Sequence, residues 1–179
     1  MDSINRQQLE PHRQDVSGTQ AIARIKNVVD QNRTCFFCTA SPSGPSNGAR
    51  PMSVRDVDEL GRLWFLSADD SYKNAEIARD PAVRLFFQGS QHSDFLELTG
   101  RVTVSRDRAR IEALWNPLIK TWFTGGVDDP RITVLMVEPE TGYYWDNKHG
   151  DTIAGIKMLI GAATGKTLDD SIEGTVKVA

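Results

Sequence analysis

The stretch LWFLSADDSYKNAEI, residues 63–77, passes from an apolar segment through a polar turn into a short helical segment. A side-chain oxygen of Asp69, Asp70 or Ser71 can cap that helix by accepting a hydrogen bond from a free backbone N–H. The sequence therefore predicts a strand that is followed directly by a helix over 71–79.

Lys73 is the unusual residue of this stretch. A cation in the first turn of a helix faces the positive end of the helix dipole, where an anion would be favoured. One interpretation is that a bound anion shares this position, because helix N-termini and lysines both attract phosphate. The alternative is that Lys73 points into solvent, as most surface lysines do, and the chemistry of this stretch alone favours that alternative.

The chain has 179 residues, enough for one domain with a real hydrophobic core. Its formal net charge of -3 argues against a general nucleic-acid binder, which is usually basic. No apolar run is long enough to cross a membrane, and the polar N-terminus has no apolar signal core, so we expect a cytoplasmic protein. Residues 1–16 are expected to form a flexible tail before a single domain over 17–179.

Apolar segments separated by turn formers continue along the rest of the chain. Gly100 lies inside one of them and indicates a bulge or a close backbone approach. Most connections are too short for parallel crossovers. This predicts a mainly β or α+β protein, in which an antiparallel sheet closes into a barrel with helices outside it. The expected helices cover 17–32, 71–79, 106–118 and 151–163; the expected strands cover 34–40, 50–57, 62–67, 82–88, 95–104, 132–137, 141–146 and 174–179, with a tight turn at 138–140.

Familiar catalytic and metal-binding motifs are weak or missing in the sequence. Cys35 and Cys38 form a CxxC inside a predicted strand, where residues three apart point to opposite faces, so buried structural thiols are the better interpretation. The stretch 161–167 is one residue short of a phosphate-binding P-loop, and no GxGxxG is present. The histidines lack metal-ligand spacing, so we expect no metal site.

A distributed set of polar residues remains: Arg50 and Arg55 on one predicted strand, and Ser67 and Lys73 at the end of the next. If the strands bring them together, two guanidinium groups, an ammonium and a hydroxyl suit a phosphomonoester. Arg50 and Arg55 are five residues apart, so regular alternation places them on opposite faces, and they share a ligand only across a bulge or past the strand end. The alternative is two exposed arginines on an edge strand.

The segments RPMSVR (50–55), LSADDSYK (66–73) and ARDPAVRLFFQ (78–88), in this order, resemble the flavin-binding split barrels related to pyridoxine 5′-phosphate oxidase. The later segment 114–147 is similar to the bacterial general stress proteins of that superfamily. This resemblance implies a six-stranded antiparallel split barrel with peripheral helices. It also implies a homodimer with one FMN at each end of the subunit interface, and FAD is possible in place of FMN.

The resemblance implies which residues of the first strand segment contact the flavin. Backbone groups of Met52, Ser53 and Val54 would meet the isoalloxazine ring. Arg50 and Arg55 would meet the phosphate end of the ribityl chain. We expect these five residues to run along the bound cofactor.

The same resemblance assigns roles to residues of the opening stretch. Leu66 and Ser67 correspond to a strand-end contact, with the Ser67 hydroxyl donating to the phosphate. Tyr72 and Lys73 correspond to an Arg-Lys pair that grips the phosphate, and Tyr72 in place of arginine removes one cation. This match makes phosphate binding the favoured interpretation of Lys73.

Two tryptophans and the C-terminal part of the resemblance bear on activity. Trp122 and Trp145 are candidates for walls of the flavin pocket, because indole can stack on a flat ring, and core packing is the alternative for both. Pyridoxine-phosphate oxidases carry an Arg-Leu-His-Asp-Arg-like segment that binds the substrate. This chain has Tyr-Trp-Asp-Asn at 144–147 in its place, which disfavours oxidation of pyridoxine phosphate.

The resemblance therefore predicts a dimeric FMN-binding general stress protein that acts as a flavin-dependent oxidoreductase on an unknown substrate. NAD(P)H or another small molecule would be its partner, with no nucleic acid and no membrane involved. A non-catalytic flavin-binding or flavin-storing stress protein is the alternative, and an active pyridoxamine 5′-phosphate oxidase is a further one. A barrel that binds haem or another anionic ligand is the hypothesis outside flavin chemistry, and the lack of an obvious histidine ligand counts against haem.

Overall fold

A computed structural model describes residues 12–43, 45–90, 94–147 and 171–178. It contains three α-helices and nine strands in these ranges, and short 3₁₀ helices follow the third α-helix. None of the helices in these ranges is long and apolar enough to span a bilayer. The helices are α1 (Gly18–Gln31), α2 (Tyr72–Arg79) and α3 (Arg108–Leu114); the strands are β1 (Val16–Ser17), β2 (Thr34–Thr39), β3 (Ala49–Ser53), β4 (Asp56–Val57), β5 (Leu63–Ala68), β6 (Ala82–Gln88), β7 (Phe95–Ser105), β8 (Ile132–Asn147) and β9 (Ser171–Lys177).

Antiparallel pairing runs in the order β3, β2, β6, β7, β8, β5, β4. Because β3 leads into β4 through Val54 and Arg55, the two ends of this order are joined by the chain itself. The backbone N–H of Val54 donates to Arg33 O (2.8 Å) and that of Arg55 to Trp64 O (2.7 Å), so pairing changes from β2 to β5 at this point. With β3 and β4 counted as one, these strands form the predicted split barrel of the α+β class. The strand count differs from the predicted six, because β9 and β1 extend the sheet beyond β8.

The prediction of two strands joined by a tight turn at 138–140 is wrong, because β8 is one continuous strand of 16 residues. Its register with β7 shifts between Thr99 and Gly100. Thr99 pairs with Thr141 and Gly100 pairs with Pro139, so Glu140 of β8 has no partner residue in the β7 ladder. Such a β-bulge is where a strand tolerates proline, which has no N–H for the ladder. The first part of β8 pairs with β5, and the last part pairs with β9. Strands β5 and β9 therefore follow one another along the same edge of β8, and this change of partner opens the barrel there.

Gly100 is the residue of β7 at this bulge. A Cβ built there would overlap the carbonyl oxygen of Glu138, so the predicted close backbone approach is confirmed. We expect Gly100→Ala to lower the free energy of unfolding by about 1–3 kcal/mol, the usual cost of forcing an extra group into packed structure. Thr103→Ala, at an exposed position of the same strand, is the control and should change it by no more than about 0.5 kcal/mol. Equal urea-unfolding curves for the two variants would contradict the bulge geometry.

The barrel interior is the main hydrophobic core. The rings of Phe37 from β2 and Phe65 from β5 meet edge to face there, with centroids 5.4 Å apart, and both are fully buried. Helix α1 packs on this core through Ile25, Val28 and Val29, which are buried on one face of the helix.

A second, smaller cluster lies on the other face of β5 and β8. Its members come from α3, from the 3₁₀ helix Pro117–Thr121 and the loop after it, and from the start of β8: Ile111, Leu114, Ile119, Phe123, Ile132 and Val134. The predicted helix over 106–118 is shorter than expected, because Asn116 precedes a proline and takes an extended backbone conformation.

The prediction of a flexible tail over 1–16 needs correction for its last residues. Val16 and Ser17 pair in parallel with β9, and the backbone N–H of Gln14 donates to Glu173 O at 2.8 Å. The hydroxyl of buried Tyr144 donates to Gln14 O at 2.7 Å, so β8 and β9 supply the hydrogen bonds that order this segment. Residues 1–11, the predicted helix over 151–163 and the glycine-rich stretch 161–167 lie outside the described residues. The last strand begins at Ser171 instead of at 174.

Candidate anion site at the start of the second helix

Helix α2 begins directly after β5, as predicted, and Ser71 is its cap. The Ser71 hydroxyl accepts a hydrogen bond from the backbone N–H of Asn74 at 3.3 Å. Asp69 has another role: its backbone N–H donates to Arg131 O at 2.8 Å. Its carboxylate forms an ion pair with Arg106. The turn that precedes β8 therefore supports the start of α2.

Lys73 is buried, with only 5% of its surface exposed, so the interpretation that it points into solvent is wrong. Its ammonium donates to the hydroxyls of Ser67 and of Ser71, the latter at 3.2 Å. Within the part of the chain that the structure describes, no carboxylate forms an ion pair with it. Hydroxyl groups carry no net charge. The contacts with Ser67 and Ser71 therefore give the buried Lys73 ammonium hydrogen-bond partners but do not balance its positive charge.

The environment of Lys73 makes its charged form costly. Burial first and the Arg50 guanidinium second lower the pKa of the ammonium, the Glu76 carboxylate opposes them, and the net result is a fall from 10.5 to about 8. A lysine with a lowered pKa gains most from an anion that restores the favourable balance of charge. This site is therefore prepared to receive negative charge.

The polar side chains around Lys73 form a connected network between α2, β5 and β8. The Ser67 hydroxyl donates to the side-chain oxygen of Asn74 at 2.7 Å. The Asn74 amide donates to Thr133 Oγ1 (2.8 Å), and that hydroxyl donates to Ser67 O (2.9 Å). Because a hydroxyl has one proton, Ser67 can donate to a ligand only by releasing Asn74. In the structure its oxygen serves as an acceptor for Lys73.

Glu76, one turn after Lys73 in α2, is fully buried and binds the neighbouring elements together. Its Oε2 accepts hydrogen bonds from Arg50 Nη1 and Thr39 Oγ1, each at 2.7 Å, and its Oε1 accepts one from the Ser43 backbone N–H at 2.7 Å. Burial alone would raise the pKa of this carboxyl, but the hydrogen bonds from Arg50, Thr39 and Ser43 outweigh it and lower the pKa to about 2. Glu76 is thus ionised at neutral pH and paired with Arg50.

Comparison with known proteins connects this geometry to a family. The family model described as pyridoxamine 5′-phosphate oxidase like matches residues 20–169. The chain belongs to the pyridoxamine 5′-phosphate oxidase-like family. Protein bli-3 of Neurospora crassa is 28% identical over 134 residues, which is 70% of this chain and 64% of that protein, so the chain matches somewhat less than two thirds of the length of this curated relative.

Solved structures share the fold of this chain. A Jannaschia sp. structure that carries the name general stress protein 26 has a TM-score of 0.72 and 21% identity, over 87% of this chain and 96% of that one. The general stress FMN/FAD binding protein of Xanthomonas citri has a TM-score of 0.58 and 23% identity, over 68% of this chain and 84% of that one. Identity at this level shows a shared fold alone.

The structure brings together only part of the set that the resemblance implies. Ser67 and Lys73 are hydrogen-bonded, and Arg50 lies close enough to affect the charge of Lys73. Arg55 points elsewhere: its Nε donates to Leu114 O at 3.3 Å, at the end of α3. The change of pairing at 54–55 does not bring Arg55 into this cluster, so the opposite-face alternation expected from the sequence holds.

The other residues implied by family resemblance are distributed around the cluster. Met52 packs against the main core and Val54 is fully buried in it, while Ser53 is exposed. The side chain of Leu66 packs in the second cluster, on the face of β5 opposite Ser67. The ligand contacts of these residues stay predictions.

The aromatic residues that the sequence offered for the flavin site are exposed to solvent. Tyr72 is 62% exposed and directly precedes Lys73, while Trp122 is 69% exposed and follows the 3₁₀ helix. Trp145 is 43% exposed, so core packing is wrong as an account of either tryptophan. Their roles as walls of a flavin pocket stay predictions.

Sequence reasoning missed the acidic and amide members of the site. Glu76 and Asn74 are buried together with Lys73 and Ile77 on one face of α2. Lys73, Glu76 and Ile77 fall at i, i+3 and i+4, the spacing of one helix face. Because Ile77 is apolar, this spacing could have indicated that Lys73 and Glu76 lie on the buried face of α2. Cys35 is buried, as predicted, whereas Cys38 lies on the other face of β2 and is partly exposed, so the prediction of a buried thiol is wrong for Cys38.

Proposed function

We propose that this member of the pyridoxamine 5′-phosphate oxidase-like family binds FMN and holds its phosphate at Lys73 and Arg50; FAD is the second flavin that the site would take. The observation that carries the proposal is the buried Lys73 ammonium, which contacts hydroxyls and forms no ion pair among the described residues. A phosphomonoester supplies the missing negative charge. The name of the Xanthomonas citri neighbour, an FMN/FAD binding protein, supports the same ligand class.

The charges around the site fit a phosphate group. Arg50 shares one guanidinium nitrogen with Glu76, and its Nη2 makes only a long hydrogen bond, 3.4 Å, to Ser46. Its remaining donors suit a phosphate oxygen, while Lys73 supplies a point charge. Lys73 and Arg50 together with Glu76 leave one net positive charge, which a phosphate dianion more than balances.

We propose that two copies of the chain associate through one face of the barrel. Four exposed aromatic side chains share that face, which we call the outer aromatic face: Phe36, Phe86, Phe95 and Trp145, each 38–60% exposed. Strand pairing places Phe36 beside Phe86 and Phe95 beside Trp145, so they form a continuous surface. Patches of this kind on a monomer mark interaction surfaces. Arg84 and Glu97, paired on the same face at 3.1 Å, supply both charge signs, as a self-complementary interface needs.

We also propose oxidoreductase activity on a substrate that is not identified, with NAD(P)H as a candidate reductant, in the cytoplasm. Bound FMN would supply the redox chemistry, and the residues described above would position its phosphate. Oxidation of pyridoxamine phosphate is disfavoured, because the residues at the expected substrate-binding position have structural partners. Tyr144 is buried with its hydroxyl on Gln14, and Asp146 forms an ion pair with Arg24.

The direct test is the visible absorption spectrum of the purified full chain before and after addition of FMN and gel filtration. We expect retained flavin bands with about one flavin per chain, because a tightly bound FMN would stay with the protein through gel filtration. Sedimentation velocity of the same sample should give the mass of a dimer. The proposal fails if flavin passes through the column separately even at protein concentrations where the dimer is formed.

The affinity for FMN should depend on pH in a way set by Lys73 and by the ligand. The phosphate loses its second proton near pH 6. Lys73 of the free protein, with a pKa of about 8, loses its proton above that pH. Binding should therefore be tightest between pH 6 and pH 8, weakening as pH rises through about 8 by up to tenfold per unit. Quenching of FMN fluorescence measures this, and a flat profile up to pH 10 would exclude Lys73 as the phosphate ligand.

A further inference from the structure

We propose that Glu76 is a positioning residue of the phosphate site, which orients Arg50 and places a negative charge on the same buried face of α2 as Lys73. The inference rests on the proposed function for the identity of the ligand. It goes beyond that function because it assigns control of the site to a carboxylate, a group that repels phosphate.

The geometry of Glu76 separates it from an ordinary surface acid. It is fully buried, and its two oxygens accept hydrogen bonds from residues at the end of β2, in the turn after β2 and in β3. Of these donors only Arg50 carries charge. A buried carboxylate is stable where hydrogen bonds and an opposite charge compensate it, and here Arg50 and Thr39 do so on one oxygen.

One consequence concerns the direction of the Arg50 side chain. Its Nη1 is held by Glu76 at 2.7 Å, so the guanidinium plane is fixed relative to α2. Because Lys73 and Glu76 are one turn apart on the same helix, this bond also fixes Arg50 relative to Lys73. A ligand therefore meets two cations at a fixed separation. Because Arg50 is already held in place, its side chain loses little conformational entropy when the ligand binds.

A second consequence concerns the charge of Lys73. The groups that face its ammonium are the hydroxyls of Ser67 on β5 and Ser71 at the start of α2, the Arg50 guanidinium on β3 and the Glu76 carboxylate. Burial and Arg50 both favour the neutral amine, while Glu76 favours the ammonium. Glu76 therefore opposes the loss of the Lys73 proton, which burial and Arg50 would otherwise favour.

The test is a pH titration of Lys73 in the flavin-free full chain by the ¹³Cε chemical shift, with the signal assigned by its loss in Lys73→Met. Glu76→Gln keeps the shape of the side chain and removes its charge, and we expect the titration midpoint to fall by about one pH unit. Arg50→Gln removes the opposing cation, and we expect the midpoint to rise. Opposite shifts in the two variants are the specific signature of this arrangement.

Thr39→Val is the matched control, because it removes a hydrogen bond from the same carboxylate oxygen and leaves every charge in place. Its midpoint should stay within about 0.3 pH units of the wild type, well inside the shifts that a full charge produces. An unchanged midpoint in Glu76→Gln, or a shift of equal size in Thr39→Val, overturns the inference. If Glu76→Gln does not fold, the Arg50→Gln titration decides: a midpoint that fails to rise overturns it.

The FMN affinities of the same variants separate this inference from the proposed function. In Glu76→Gln the pH above which FMN binding weakens should move down together with the Lys73 midpoint. If the wild type retains no FMN while the midpoints shift as expected, the flavin assignment fails and the role of Glu76 on Lys73 stands. If the wild type binds FMN and the midpoints do not move, the flavin assignment stands and Glu76 has no positioning role.

Discussion

Lys73→Met is expected to lower the affinity for FMN by about 10- to 100-fold and to leave the fold intact. The substitution removes one charge-assisted hydrogen bond to the phosphate, which contributes on the order of 1.5–3 kcal/mol. Methionine has similar length and fills the buried position of the lysine stem. The loss of affinity should appear as a higher Kd for FMN. The difference between the variant and the wild type should be smaller at high salt, where the wild type also binds FMN more weakly.

The same variant should be more stable than the wild type without ligand, which makes the prediction sharp. The ammonium of Lys73 is buried, and its charge is not paired with a carboxylate within the described residues. Removing it relieves a desolvation cost, so the thermal midpoint of the flavin-free protein should rise. Lys120→Met, at an exposed position of the 3₁₀ helix, is the control and should change neither quantity. A destabilised Lys73→Met protein with normal FMN affinity would contradict the site.

Phe37→Ala is expected to lower the free energy of unfolding by about 3–5 kcal/mol, the usual cost of removing a buried phenyl ring. Phe37 is fully buried in the barrel interior and meets Phe65 edge to face at 5.4 Å. No neighbour of similar size can refill that space in a closed barrel without moving a strand. Equilibrium unfolding in urea measures the loss.

Phe36→Ala is the matched control, because Phe36 is the preceding residue of β2 and is 60% exposed on the outer aromatic face. At protein concentrations low enough to give monomers, we expect this variant to change the free energy of unfolding by no more than about 0.5 kcal/mol. At higher concentrations it should weaken the proposed dimer instead. If both variants lost the same stability in the monomer, the register of β2 would be wrong.

Much of the fold could be predicted because its signals are local. The apolar run before Ser67, the polar turn after it and the proline after Asp80 define β5 and α2 to within a residue or two. The long strand β8 could not be predicted in this way. Pro139 normally indicates a break, and only the bulge opposite Gly100 keeps the strand continuous. That bulge depends on two strands that lie far apart in the sequence.

The candidate site was predictable in part for the same reason. Lys73 is at odds with the helix dipole, and that conflict between neighbouring residues raised the hypothesis of an anion, although only the family resemblance made phosphate the favoured interpretation. The cluster's other decisive feature, the Arg50–Glu76 pair at 2.7 Å, joins residues 26 positions apart and has no sequence signature. Arg55 shows the converse: close in sequence to Arg50, it lies at the end of α3 beside Leu114.

The sequence by itself determined the strand-to-helix unit around Lys73 and the α+β class, because both depend on neighbouring residues and their periodicity, and its resemblance to known split barrels indicated the family. The tertiary structure decided that Lys73 is buried, that Glu76 holds Arg50 and that Arg55 lies apart. The physical reason is that burial and ion pairing depend on which strands meet through space. In this barrel that is set by the change of pairing at residues 54–55 and by the bulge in β8.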